Sequence, residues 1–348
     1  MNTSISDMRT ISCLTVYVLS FCMLLSCSGT KDQGTLDYMA VTDSVSLQTV
    51  AIDKELLMPE RLFVSGNNLV VYQPKEEEGL FTVFPLPFDG KGYRTGHTGR
   101  GPDEFLRIDI RSIVPDGDGF RVADNGDMTV KSVKIDAGQV RVTDRKKIDS
   151  SSGFNGMFEM ADCYINMNVF SDEYEYMVYD KQTGKSRGII PYPDWYKGTE
   201  EWAPVSYYMN FGIPRPSGDL FAIFYAYFRK IQIADTEGRI LKEVTLDFDG
   251  DISGCGPVSS RKYIAFSLFP VATDDYVAVQ YADRIPGRER GDITEVQVWN
   301  WDGELLHRLI FDKGFGTFTI DPQTGILFAT PFDDPQHLYT ADLSGILL

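Results

Sequence analysis

The sequence predicts an all-β fold, a six-bladed β-propeller of four-stranded antiparallel blades whose ring is closed by an N-terminal strand. Three observations predict it. First, a β-like run ending in an aspartate-glycine turn recurs six times, around Asp89, Asp136, Asp180, Asp235, Asp302 and Asp342. The glycine offers the positive φ that a tight hairpin needs. Second, a turn followed by a strand rich in β-branched and aromatic residues precedes each of these: "SGNNLVVYQ", "DGDGFRVAD", "MADCYINMNVF", "PSGDLFAIFYAY", "ATDDYVAVQY" and "PQTGILFATPF". Third, successive turn aspartates stand 40 to 67 positions apart. That is room for the four strands of a propeller blade, and no helical 3.6-residue period accompanies it.

Taken from the N-terminus, the chain opens with a polar head carrying Arg9 and an apolar run from Ile11 to Leu25. As a helix the run is roughly 22 Å long, short of the bilayer core of about 30 Å, so it reads as an export signal that is removed rather than as an anchor that spans. Leu24-Leu25-Ser26-Cys27 resembles the bacterial lipoprotein lipobox. Acylation of Cys27 would tether the folded body to a membrane through lipid alone. The alternative is a soluble secreted protein cut near the same place. The division expected is therefore 1–27 signal peptide, 28–43 linker and 44–348 a single propeller domain.

Ring closure follows from the two ends of the repeat. Too little chain follows Gly345 for a fourth strand, whereas "SVSLQTVAID" has no partner in its own blade. Residues 44–52 are expected to supply the outermost strand of the last blade, which removes two open sheet edges.

Composition narrows the partners. With a net charge of −17 the protein repels phosphate backbones, so nucleic acid is excluded as a partner. Of five cysteines, only Cys163 and Cys255 lie beyond the lipobox. The blade layout puts them on opposite faces of the disc, too far apart for a disulfide, so two free thiols are expected.

The stretch "GHTGRGPDEF", residues 96–105, joins blade 1 to blade 2. Such crossings share one face of the disc, here called the loop face, with the loops between second and third strands. His97, Arg100, Asp103 and Glu104 make it a candidate ligand loop aimed at the channel. In the structural reading, its glycines permit a tight passage and Glu104 accepts backbone N–H bonds that pin the corner. A phosphate cradle is not supported, because no Gly-Lys-Ser/Thr ending or following helix is present.

A lipobox, six blades and the corner Gly96, Gly99, Gly101, Pro102 and Glu104 together resemble the TolB-like, NHL-like six-bladed propeller lipoproteins of Bacteroidetes. The resemblance spans essentially the whole mature chain and implies fold and address rather than an activity. Asp103 stands where that family usually has glycine. Ser28 after the acylated cysteine implies outer-membrane sorting, with the periplasmic or surface face left open.

Other candidates lie on the same face. The crossing after blade 3 carries Trp195, Tyr196, Trp202 and Tyr207 among acidic residues, a composition suited to sugar rings or peptide side chains, or else to filling gaps between blades. Arg284 and Arg288 fall in a blade 5 loop that is either a cationic patch for an acidic group or a solvated hairpin tip. Asp247, Asp249 and Asp251 have the alternate spacing of calcium loops, but Val258 occupies the bidentate position, so Ca2+ is a weak assignment and no other cofactor is implied. For catalysis no residue is assigned: His97, His307 and His337 form no HExxH pair, and no GxSxG elbow occurs. The expected function is a lipid-anchored envelope module that binds a glycan, peptide or partner protein through the loop face. The alternatives are a propeller hydrolase or lyase with Asp/Glu chemistry at the channel, and a structural subunit of an envelope complex.

Overall fold

A computed structural model describes residues 40–136, 138–148, 154–169, 172–195, 203–246, 264–266, 269–284 and 293–348. The predicted ring of six blades is present. Blade 1 is built from Arg61–Ser65, Asn68–Tyr72, Phe81–Pro85 and Tyr93–Thr95, and blade 2 from Val114–Asp116, Gly119–Asp124, Thr129–Asp136 and Gln139–Lys147. Blade 3 comprises Phe158–Glu159, Cys163–Met167, Tyr174–Asp180 and Ser186–Pro191, and blade 4 Asn210–Pro214, Leu220–Tyr225, Lys230–Asp235 and Ile240–Thr245. In blade 5 the inner strand is split into Ile264–Phe266 and Val271–Ala272, followed by Tyr276–Arg284, Thr294–Asn300 and Leu305–Phe311.

Blade 6 closes the ring as expected and with one addition. Phe315–Ile320, Ile326–Pro331 and His337–Asp342 are completed by Gln48–Ala51, which pairs antiparallel with His337–Asp342. The preceding Thr42–Val45 turns to the neighbouring blade and pairs parallel with Leu305–Phe311, Thr42 opposite Arg308 and Val45 opposite Phe311. One ribbon thus stitches two blades, where the sequence suggested a single strand over 44–52. The switch is made at Leu47, which is buried between blades 5 and 6; its N–H donates to Asp312 Oδ1 at 2.9 Å and its carbonyl accepts from Lys313 Nζ at 3.1 Å.

Packing explains the strand composition. A blade is covered on both faces by its neighbours, so its middle strands read as near-continuous apolar runs: "LFAIFY" is buried from Phe221 to Tyr225 and "NLVVY" from Leu69 to Tyr72. Outer strands face water, and "QVRVTDRKK" is largely exposed. The core is accordingly a series of seams between adjacent blades. One seam holds Phe81 against Phe120 at 5.1 Å and Phe105 at 5.7 Å.

The repeat glycines do what the turn chemistry asked. Between third and fourth strands Gly90, Gly138, Gly184, Gly238 and Gly303 all have positive φ, between 67° and 80°. Gly345 does not share it, because the chain ends there in a short helix, Ser344–Leu347, instead of a hairpin. Among the described residues no helix is long and apolar enough to cross a membrane.

Candidate functional site

The corner at 96–105 is a joint. His97–Thr98 pairs with Glu104–Phe105, and Glu104 Oε2 accepts the N–H of Gly101 at 2.6 Å. A Cβ on Gly99 would collide with the Glu104 carboxylate, and one on Gly101 would lie 2.8 Å from Glu104 Cδ. Positive φ outside glycine is confined, among the described residues, to Met58, Met128 and Phe269, so Asp103 does not adopt it. Instead Asp103 Oδ1 accepts the N–H of Val142 at 2.8 Å and latches the corner to the outer strand of blade 2, which a glycine could not do. His97 and Arg100 are exposed.

Beneath the corner Lys131 is buried, with Nζ 2.6 Å from Asp124 Oδ2, 3.0 Å from the Glu104 carbonyl and 5.1 Å from the Phe105 ring. Burial pushes the Asp124 carboxyl up, but the Lys131 ammonium and the N–H groups of Leu106, Arg107 and Gly126 win and hold it below its ordinary value. Because Gly99 clashes with Glu104 alone and needs no unusual φ, Gly99→Ala is expected to cost about 1–3 kcal/mol and much less in a Glu104→Ala background. A double-mutant cycle by denaturant titration checks this, and equal costs in both backgrounds would refute the assigned contact.

The aromatic crossing folds back on blade 4. Trp195 meets Tyr225 edge-on at 4.9 Å and lies under Lys230 Nζ at 4.4 Å, Tyr208 stacks on Phe228 at 5.4 Å, and Tyr207 is buried. Of the described candidates there, Trp195 and Tyr207 therefore take part in packing. Tyr196, Trp202, Arg288, Asp247, Asp249, Asp251, Cys27 and Cys255 lie outside the described residues, and Arg284 is described by its backbone alone, pairing with Ile264. Among the described residues no group of three or more His, Cys, Asp or Glu is placed to hold a metal ion. Cys163 is a buried free thiol, and burial pushes its pKa up to about 11.

A polar chain runs through the seam between blades 3 and 4. Glu175 is fully buried and accepts from Asn210 Nδ2 and from Tyr225 Oη at 2.8 Å. Tyr225 Oη also lies 3.1 Å from Gln232 Oε1, Gln232 Nε2 donates to Glu243 Oε2 at 2.8 Å, and Lys230 Nζ reaches Glu243 Oε1 at 2.9 Å. With no cation against it among the described residues, burial pushes the Glu175 pKa up to about 8.

The feature that all six blades share is the central channel, a cavity of about 480 Å³. Each inner strand runs from the loop face to the first turn, so position along it gives depth. The lining residues Asp116, Gly117, Pro216, Asp274 and Pro322 sit at first turns and are exposed, whereas Arg61, which opens the inner strand of blade 1, is buried at the other end. The cavity therefore opens on the turn face, and among the described residues Arg61 and Arg111 stand at its closed, loop-face end. Its walls mix apolar residues such as Val114, Ile213 and Val271 with charged ones, Arg121, Glu159 and Asp274 among them.

None of the described candidates from the sequence lines this channel. Arg61, Arg111 and Glu175 were missed. The available signal was a lone charge inside an apolar run, as in "RLFVS" and "IRSIV", which carries no information on what converges with it across the axis.

No family model matches the chain, and no curated protein sequence matches it. Solved structures do resemble it. A member of the DUF4221 family from Bacteroides vulgatus aligns with a TM-score of 0.57 at 13% identity, over 85% of this chain and 95% of that one. A Bacteroides fragilis protein gives 0.49 at 8% identity, over 86% and 99%, and the β-propeller domain of Cps50 (Swd1) from Myceliophteria thermophila 0.41 at 11%, over 84% and 99%. The first of these likenesses is one of fold over nearly the whole chain, and at such identity it speaks for nothing finer.

Proposed function

We propose that this protein is a binding module of the bacterial cell envelope, held to the outer membrane by an acylated Cys27, whose ligand enters the central channel from the turn face. The propeller fold supports a binding or interaction role. The observation that carries the channel assignment is a single cavity of about 480 Å³ to which all six blades contribute, within the size range of small-ligand sites and with a mix of apolar and polar lining. The ligand is a glycan or peptide fragment, or an exposed end of a partner protein. The lipobox and the corner motif are what support placing the chain beside the TolB-like, NHL-like lipoproteins.

A second, loop-face reading has one observation in its favour. Arg100, Lys131 and Arg145 border a hollow of about 250 Å³ beside Gly99 and Gly101.

A thermal-shift screen of the purified protein against glycans and short peptides tests the channel, since a ligand that binds the folded state raises its melting temperature by mass action. Ile213 lines the cavity, and Ile213→Trp sets a larger ring against its wall. Hits on the wild type are expected to weaken in this variant. Hits whose affinity that ring leaves unchanged would move the site to the loop face.

A further inference from the structure

Four arginines line the channel, and two of them are already paired. Arg121 lies 2.5 Å from Glu159 and 3.3 Å from Asp116, and Arg215 Nε donates to Asp219 Oδ1 at 2.8 Å. Arg61 and Arg111, at the closed end, form no ion pair with a described carboxylate. Arg61 is 8% exposed, donates from Nη1 to the Ile110 carbonyl at 2.5 Å, and lies over the Phe269 ring at 5.4 Å. Arg111 lies over the Phe211 ring at 5.6 Å and reaches the Met167 sulfur at 3.8 Å.

Both reach beyond their own blade. Arg61 starts in blade 1 and meets blade 5, and Arg111 starts before blade 2 and meets blades 3 and 4. One buried acid, Asp109, stands beside both: its oxygens accept the N–H groups of Arg111 at 3.2 Å and Met157 at 3.1 Å, and its charge acts on both guanidinium groups without a direct ion pair to either. A guanidinium offers five donors, and Arg61 uses one on a carbonyl. Two guanidinium groups thus share one described carboxylate that neither contacts directly, which leaves a net positive charge at this end of the channel inside a protein of net charge −17. An anion supplied from outside balances that charge.

We infer that Arg61 and Arg111 bind the carboxylate of a small acid or chain end whose body is neutral and largely apolar, with that body lying along the partly exposed lining residues Val114, Pro115, Ile213 and Val271. The inference deepens the channel reading and rests on it. Arginine suits the role because its planar fork matches a carboxylate bidentately. A single charge fits better than a polyanion, because Asp116, Glu159 and Asp274 line the channel toward its mouth against Arg121 and Arg215.

The test titrates the purified full chain by calorimetry with two matched pairs. One is N-acetylphenylalanine and its amide. The other is the acetylated peptide Gly-Gly-Leu-Phe with a free and with an amidated C-terminus. The expected result is that at least one free acid binds about tenfold or more tighter than its amide, the worth of a charge-assisted hydrogen bond. Which pair shows the preference tells a small acid from a chain end. Arg111→Gln, at a half-buried position, is expected to remove that preference. Arg61→Lys keeps the charge but loses the fork and should weaken the acid by a similar factor, with circular dichroism confirming that each variant is folded.

Three results overturn the inference: acid and amide binding alike, a preference untouched by both variants, or no binding of either acid up to roughly 10 mM, tenfold above a millimolar Kd. Amides and acids that bind alike but are both weakened in Ile213→Trp refute the anion site and leave the channel standing. Binding of unchanged affinity in Ile213→Trp refutes the channel itself.

Discussion

A chain beginning at residue 53 is expected to melt more than about 10 °C below one beginning at residue 40, or to aggregate on purification. The missing segment supplies the fourth strand of blade 6 through Gln48–Ala51 and an extra strand on blade 5 through Thr42–Val45. Its loss strips Leu47 from the seam between those blades, a change of the kind that costs about 2–5 kcal/mol by itself. It also frees Lys313 Nζ from the Leu47 carbonyl and Thr49 Oγ1 and leaves Asp312 Oδ1 without the Leu47 N–H. Against a total stability of about 5–15 kcal/mol, the sum removes much of what keeps the ring closed.

The two strands are not equivalent. Starting at residue 46 removes only the parallel strand and leaves blade 5 with its own four layers, so a shift of a few degrees is expected. Starting at residue 53 leaves blade 6 with three strands and an open edge along His337–Asp342. Calorimetry on the three lengths decides it. Closely matched melting temperatures for the starts at 40 and 53 would mean that the ring does not depend on this seal.

Stability is expected to fall by on the order of 4 kcal/mol between pH 4.5 and pH 8 through Glu175 alone, at about 1.4 kcal/mol per pH unit. Burial raises the folded-state pKa from the ordinary 4.5 to about 8. In this window the unfolded chain gives up the proton and the folded one keeps it. The contribution is therefore fully present below about pH 4.5 and is lost as pH rises toward 8. The neutral acid has a place for its proton: protonation of Oε2 reverses the bond that Tyr225 Oη donates to the carboxylate at 2.8 Å, and the phenol then donates to Gln232 Oε1, 3.1 Å away.

Glu175→Gln preserves this pattern, with the amide nitrogen in place of the hydroxyl and Oε1 still accepting from Asn210. Urea titrations at pH 5 and pH 8 should show the variant losing less stability than the wild type and surpassing it at the higher pH. Parallel losses in the two proteins would assign the pH dependence to other groups.

Much of the architecture could be read in one dimension, and for local reasons. A hairpin turn needs its glycine within a few positions of its aspartate, and a doubly covered strand needs an unbroken apolar run. Gly90, Gly138, Gly184, Gly238 and Gly303 and segments such as "LFAIFY" therefore announce blades without knowledge of their neighbours. Closure by the N-terminal segment followed from counting strands. Its division between two blades did not, because nothing in "TDSVSLQTVA" states that Thr42–Val45 meets Leu305–Phe311 more than 260 positions away.

The corner shows where local reading stops short. Its glycines and Glu104 marked a required backbone path, yet the role of Asp103 depended on Val142 arriving beside it from the next blade. Trp195 had the right chemistry for a sugar platform, and what it meets instead is Tyr225 and Lys230, both on strands of blade 4.

By itself, then, the sequence determined the repeat, the blade number and the need for a borrowed strand, because these depend on residues close together along the chain. Only the tertiary structure decided which charges are answered. Arg61 and Arg111 stand some 50 positions apart, and Arg61 meets an aromatic ring from blade 5. Whether a guanidinium finds a carboxylate is settled by the convergence of six inner strands on one axis, which no spacing in the sequence encodes.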